Sequence, residues 1–229
     1  MNEIVNWLNG VLWGNLLIYL LLGTGILFTL RTRFIQVRHF GHMFLVMRSS
    51  RKGDASGISS FQALCTSLAA RVGTGNLAGV AVAVTLGGPG AVFWMWLIAL
   101  LGMATSFAES SLAQLYKVKD DDGNFRGGPS YYMEKGLGKR WMGVVFAICL
   151  IIAFGLVFNA VQANSIASAM HEAFGFNKVL VGAVLAAAAA LIIFGGIRSI
   201  ARFAELVVPV MALAYVLVAI AVVLMNIQH

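Results

Sequence analysis

Charged side chains gather in a few clusters along this chain, and the stretches between them are long and apolar. Residues 7–30 contain no Asp, Glu, Lys or Arg. A hydrocarbon core of about 30 Å is crossed by roughly 20 residues of helix, so this stretch predicts one membrane span. Residues 59–116 carry only Arg71 and Glu109 and are too long for a single helix. "TLGGPG", residues 85–90, divides them, because Gly87 or Gly88 can end a helix and Pro89 stops its continuation. Three further uncharged runs cover residues 141–170, 179–197 and 206–228. The pattern therefore predicts six transmembrane helices.

Composition agrees with the pattern. With 60% hydrophobic residues, 11% charged residues and a mean hydropathy of +0.87, too little polar surface exists for a soluble globular domain. The chain reads as an all-α integral membrane protein, because helices satisfy their own backbone polar groups in lipid. An excess of 16 basic over 9 acidic residues would suggest nucleic acid in a soluble chain, but here the basic residues sort by loop, and no nucleic-acid partner is expected. Arg31, Arg33, Arg38, Arg48, Arg51 and Lys52 follow the first span; Lys117, Lys119, Arg126, Lys135, Lys139 and Arg140 follow the third; Arg198 and Arg202 follow the fifth. Only Lys178 falls on the opposite side, which predicts cytoplasmic alternate loops and an N-terminus outside. The first span is too long for a signal peptide and its arginines follow it, so it is expected to stay in the mature chain. Cys65 and Cys149 both lie in spans and receive no role.

Two loops have their own character. Residues 34–47, "FIQVRHFGHMFLVM", mix basic and apolar side chains and are expected to lie along the inner membrane surface, with His39 and His42 as interfacial residues. "DDDGNFRGG" resembles a calcium loop, but with Gly123 at the sixth position the first ligand would be Val118 and the twelfth Pro129. An Asp122-Gly123 turn in a short cytoplasmic hairpin is predicted instead.

The unusual stretch is "SLAARVGTGNLAGVAVAV", residues 67–84. "GTGNLA" fits a dinucleotide fingerprint only formally, since no strand precedes it and its flanks are transmembrane. Gly75 and Gly79 could mark a close helix contact, which leaves Arg71, Thr74 and Asn76 unexplained. A discontinuous helix accounts for all of them. Counted from Ser59, Gly73 lies roughly 20 Å along a helix, near the middle of a bilayer. A break there frees carbonyls from the first half and N–H groups from the second, each costly unless something polar meets it. Freed carbonyls suit a small hard cation, and the start of the second half suits a carboxylate. A zwitterionic amino acid with a sodium ion satisfies both, as at the unwound midplane helices of secondary transporters.

Five blocks then carry a resemblance: "ALCTSLAARVGTGNLAGVA" (63–81), "GGPGAVFWMW" (87–96), "GMATSFAESSLAQLY" (102–116), "FRGGPSYYMEKGLG" (125–138) and "VQANSIA" (161–167). Together they resemble the alanine or glycine:cation symporter family over nearly the whole chain. The resemblance implies a leucine-transporter-like fold, in which two inverted five-helix repeats hold substrate and sodium between broken helices. Residues 1–57 would be an extra transmembrane helix with a basic interfacial segment, and residues 58–229 the first five-helix repeat, the second repeat being missing. It further implies sodium-coupled symport of alanine or glycine by alternating access in a prokaryotic plasma membrane. Sodium is then the coupling ion, no organic cofactor is needed, and a missing C-terminal half is a possible partner. The alternative is a truncated, non-transporting fragment or a half-transporter subunit needing a second chain. The family pattern assigns Gly73, Thr74 and Gly75 to the substrate carboxylate, Asn76 to substrate or cation, and the carbonyls of Ala69 and Val72 to sodium.

Asn159 and Gln162 in the fourth span share a helix face and serve either interhelical hydrogen bonding or substrate contact. Arg71 needs a partner or a wet cavity, and an ion pair with Glu109 is expected ahead of direct substrate binding. Glu205 reads as a solvated or interfacial charge, residues 186–190 as alanines for close helix packing, and the five tryptophans as interfacial belts. Nothing pairs a nucleophile with a base, so no enzyme is expected.

Overall fold

Glycines at positive φ, Gly88, Gly138, Gly175 and Gly196, stand at helix boundaries, whereas Gly102, Gly155 and Pro209 lie inside helices. The computed structural model describes residues 2–49, 58–121 and 123–226. Ten helices are found among them: α1 Glu3–Arg31, α2 Ile35–Arg38, α3 Phe40–Ser49, α4 Ser60–Arg71, α5 Gly75–Gly87, α6 Gly90–Leu115, α7 Pro129–Leu137, α8 Arg140–Phe174, α9 Lys178–Ile193 and α10 Gly196–Met225. A two-stranded antiparallel hairpin, β1 Val118–Lys119 and β2 Phe125–Arg126, joins α6 to α7. The chain falls into two compact units, Met1–Val46 with Ala81–Cys149, and Met47–Val80 with Leu150–His229.

In the first unit α1 packs against α6. Gly25 makes the approach possible: a Cβ there would lie 2.9 Å from the Leu101 Cβ. Ala104 is fully buried on α6, and on α1 Thr29 accepts a 3.2 Å hydrogen bond from Gln36 Nε2. Small residues let helix backbones come close where lipid offers no hydrophobic drive between them. The hairpin follows α6, and its turn is closed by the Gly123 N–H donating to the Asp120 carbonyl at 2.9 Å, with Gly123 at φ +79. Arg126 pairs with Asp120, and the Lys117 ammonium lies 4.6 Å from the centre of the Phe125 ring. The expected turn residue Asp122 lies outside the described residues, as do Arg51 and Lys52, the boundary at residue 57, and residues 227–228 of the expected last span. On α7, burial and then the nearby Glu109 carboxylate push the Tyr132 phenol above its ordinary pKa.

In the second unit α4 packs on α10 through Cys65, Ala204 and Val208, with Phe61 against them. The second part of α8 packs on α9, and α9 on α10. Residues 186–189 of the alanine run stay exposed. The run leaves room for close packing that the described chain does not use.

Four helices, α1, α6, α8 and α10, are long and apolar enough to cross a membrane, and α4 with α5, bent by 59° at the break between them, makes a fifth if the pair is one span. The remaining expected span, 179–197, is narrower than its sequence suggested. Helix α9 ends at Ile193 after 16 residues, about 24 Å, and Gly196 at φ +70 turns the chain into α10. Arg198 and Arg202, expected in a loop, therefore belong to the first turns of α10, ahead of the apolar run from residue 206. The uncharged run crossed a helix boundary that only the Gly195-Gly196 pair marks. Helix α8 is longer than its uncharged core, extending to Arg140 and Phe174. Glu205 is also corrected: it is half-buried and accepts a 2.8 Å hydrogen bond from Gln62 Nε2. A neutral amide one helix away, too far in sequence to notice, gives this carboxylate its partner. Trp7, Trp13, Trp94, Trp96 and Trp141 are all exposed.

Candidate functional site

The site begins where α4 stops. Its last regular bond is from the Val72 N–H to the Leu68 carbonyl at 2.9 Å, after which Val72 becomes extended at φ −92, ψ 106. Gly73 carries the chain through the break, and Thr74, at φ −58, ψ −30, caps the second half. Residues Gly75–Gly79 form a π-helical turn before α5 continues as α-helix. Such wide turns recur at functional sites.

The backbone at this break is only partly satisfied. Asn76 repairs some of it: its N–H donates to the Gly73 carbonyl at 3.1 Å, and its Nδ2 donates to the Arg71 carbonyl at 2.7 Å. Among the described residues, no backbone hydrogen bond outside regular helix uses the N–H groups of Gly73, Thr74 and Gly75 or the carbonyls of Ala69 and Val72. Three donors at the start of one half-helix, and the carbonyls of Ala69, Ala70 and Val72 at the end of the other, stay outside the regular ladder. In a low-dielectric setting each open group favours a polar guest.

Opposite the break lies α8. A π-helical turn over Ile151–Phe158 precedes Asn159, and the Phe154 and Phe158 rings stack with centroids 4.9 Å apart. Asn159 Nδ2 donates back to the Gly155 carbonyl at 3.2 Å. Gln162 reaches the break itself, for a Cβ on Gly73 would lie 3.2 Å from Gln162 Oε1. A side chain at residue 73 would make this amide give way by a few tenths of an ångström.

A cavity of about 570 Å³ lies within this unit, between the break and α8. All six residues expected to meet substrate line it: Gly73, Thr74, Gly75, Asn76, Asn159 and Gln162. Ala69 and Val72, expected as sodium ligands, are not in its wall, whereas Ala70 and Arg71 are. Sequence reasoning missed the apolar wall of Phe154, Val157, Phe158 and Val161. Their helical spacing was visible, but lipid-facing residues repeat the same way. Among the described residues no group of three or more His, Cys, Asp or Glu comes together, so a cation here would meet neutral oxygens from amides and main chain.

Comparison with known proteins gives this geometry a family. The profile of the sodium:alanine symporter family matches residues 1–229. The chain belongs to the sodium:alanine symporter family. Among relatives of this symporter family, "Probable sodium/glutamine symporter GlnT" of Bacillus subtilis (strain 168) is 53% identical over 230 residues, covering 100% of this chain and 48% of the relative. "Amino-acid carrier protein AlsT" of the same organism is 53% identical over 226 residues, 99% of this chain and 48% of the relative. "Sodium/alanine symporter AgcS" of Methanococcus maripaludis is 44% identical over 234 residues, 99% of this chain and 51% of the relative. The chain spans about half the length of these curated relatives. Membership and the apolar helices agree on a multi-pass membrane protein of a transporter family.

Proposed function

We propose that this chain forms the site-bearing part of a secondary transporter that carries a small neutral amino acid, alanine or glycine, into the cell together with sodium. One observation carries the reading: a helix interrupted in mid-span offers unpaired N–H groups to a cavity that Gln162 and Asn159 also line. The substrate carboxylate meets the N–H groups of Gly73, Thr74 and Gly75 and the Thr74 hydroxyl, at the positive end of the second half-helix. Asn76 has its Nδ2 committed to the Arg71 carbonyl, which leaves Oδ1 to face the cation. Carbonyls of Ala69 and Val72, next in sequence to the lining residues Ala70, Arg71 and Gly73, complete the sodium shell. Asn159 and Gln162 meet the rest of the substrate.

In this reading residues 1–57 supply an extra helix and a basic interfacial segment, and residues 58–229 one five-helix repeat of a leucine-transporter-like fold. Six crossings follow, with the N-terminus outside a prokaryotic plasma membrane, and a second, inverted repeat completes the walls of the site. The names of relatives include both glutamine and alanine, so the amino acid is set by side chains around a shared backbone site. Transport proceeds by alternating access. One sodium entering down a tenfold gradient supplies about 1.4 kcal/mol and one charge across 100 mV about 2.3, enough for roughly a 500-fold substrate gradient.

Radiolabelled alanine uptake into cells expressing the protein, with sodium exchanged for choline, tests this directly. Uptake is expected to fall to background in choline. Uptake that is unchanged in choline rules out sodium coupling.

A further inference from the structure

Helix α4 is a rod of 12 residues, about 18 Å long, whose connection to the rest of its span is the unwound backbone of residues 72–74. Its place in the unit is therefore fixed by what it touches, and it touches α10. Cys65, only 2% exposed, packs with Ala204, Val208 and Phe61 in an apolar contact. Such a contact is non-directional and resists sliding weakly.

At the start of this rod a polar link adds what the apolar contact lacks. The Ser59 hydroxyl accepts from the Gln62 N–H at 3.1 Å, and Gln62 Oε1 accepts from the Ser59 N–H at 3.0 Å, a reciprocal cap on the first turn of α4. The same Gln62 side chain donates through Nε2 to Glu205 Oε2 on α10 at 2.8 Å. One amide thus closes the helix cap and ties it to a neighbour. Four residues beyond Glu205 stands Pro209, inside α10 and without an N–H, so the Glu205 carbonyl lacks its regular partner four residues on. Each partner in the link is thus coupled to a weak point of its own chain, residues 72–74 in one case and Pro209 in the other.

We propose that Gln62 and Glu205 are a positioning pair, a cytoplasmic latch that holds the first half-helix against α10 and, when released, lets α4 swing about residues 72–74. Resting on the transport reading above, the latch governs how the site opens toward the cytoplasm. A hydrogen bond to a carboxylate is strong enough to bias such an equilibrium and weak enough to be broken in each cycle.

Cys65 reports the state of the contact, because it is covered only while α4 lies on α10. In membrane vesicles carrying the protein with Cys149→Ser, labelling by N-ethylmaleimide then follows Cys65 alone. Gln62→Glu keeps the cap, since Ser-x-x-Glu is a capping box, but sets two carboxylates against each other. Labelling is expected to rise about tenfold or more, the population change that loss of one charged hydrogen bond brings. Adding Glu205→Gln to that variant restores a hydrogen bond with donor and acceptor exchanged, and labelling is expected to return to within about twofold of the starting rate. Unchanged labelling in Gln62→Glu, or a double variant as reactive as the single one, overturns the latch. A variant that merely misfolds is not rescued by a second substitution. Alanine uptake in the same vesicles separates the two ideas: the labelling pattern without uptake keeps the latch and removes transport, and uptake without the pattern removes the latch alone.

Discussion

Two interruptions in this chain both carry glycines, "VGTG" at 72–75 and "GGPG" at 87–90. At the second, Gly88 takes φ +65, Pro89 stops the preceding helix, and α6 restarts at once. Two of its N–H groups are met locally, that of Ala91 by the Gly88 carbonyl at 3.1 Å and that of Val92 by the Pro89 carbonyl at 3.2 Å. At the first, no proline forces the stop, the backbone becomes extended for a residue, and N–H groups and carbonyls stay open beside a cavity. Both interruptions leave some backbone groups outside the regular ladder, but those of the first lie beside a cavity lined by amide side chains. Glycine content alone fails to separate a turn between spans from a binding site; the destination of each freed backbone group does.

That contrast is most sharply broken at Gly73. Gly73→Val drives a branched side chain into the Gln162 amide, and alanine uptake is expected to fall at least about 100-fold, with overpacking costing about 1–3 kcal/mol. Gly88→Ala, which meets open space but sits at positive φ, is expected to lower thermal stability by about 1 kcal/mol and leave the uptake KM unchanged. Equal uptake losses at both positions would erase the distinction.

Asn76→Leu comes between these in effect. It strips the Arg71 carbonyl of its Nδ2 donor and the proposed cation of an amide oxygen. A melting curve in detergent should shift by the equivalent of about 1–3 kcal/mol. The sodium concentration for half-maximal uptake should rise about tenfold or more, while a purely structural Asn76 would move the melt alone.

Smallest is the effect expected at Tyr132, in the unit without the open break. Its phenol pKa is raised by burial and by Glu109, so the neutral form is favoured in the fold. Stability from this group is complete below the unfolded value of about 10 and is lost as pH rises through the folded one. Tyr132→Phe should therefore be nearly silent at pH 7 and should flatten the decline in melting temperature above about pH 10.

Much of this architecture could be read from residue order. Uncharged runs located the long helices, Pro89 with its glycines marked a turn, and "VGTG" with Asn76 marked a break, because membrane burial makes charge and backbone interruption costly enough to leave a trace. What stayed hidden depends on partners distant in sequence. The bond from Gln62 to Glu205, 143 positions apart, turned an expected interfacial charge into a half-buried one. The end of α9 at Ile193 lay inside an uncharged run, where Gly195-Gly196 was the sole sign. Phe154 and Phe158 line the cavity from a π-helical turn of α8, which local spacing does not announce.

The central claim is that open main-chain groups at residues 72–75 take up a carboxylate and a sodium ion. Amide hydrogen exchange followed by mass spectrometry, with and without alanine and sodium, reads those groups directly, and the peptide covering residues 85–92 serves as the internal control. The account predicts that exchange at residues 73–75 slows when alanine and sodium are present together, with no change at 85–92. Equal exchange at 73–75 in all conditions would contradict it.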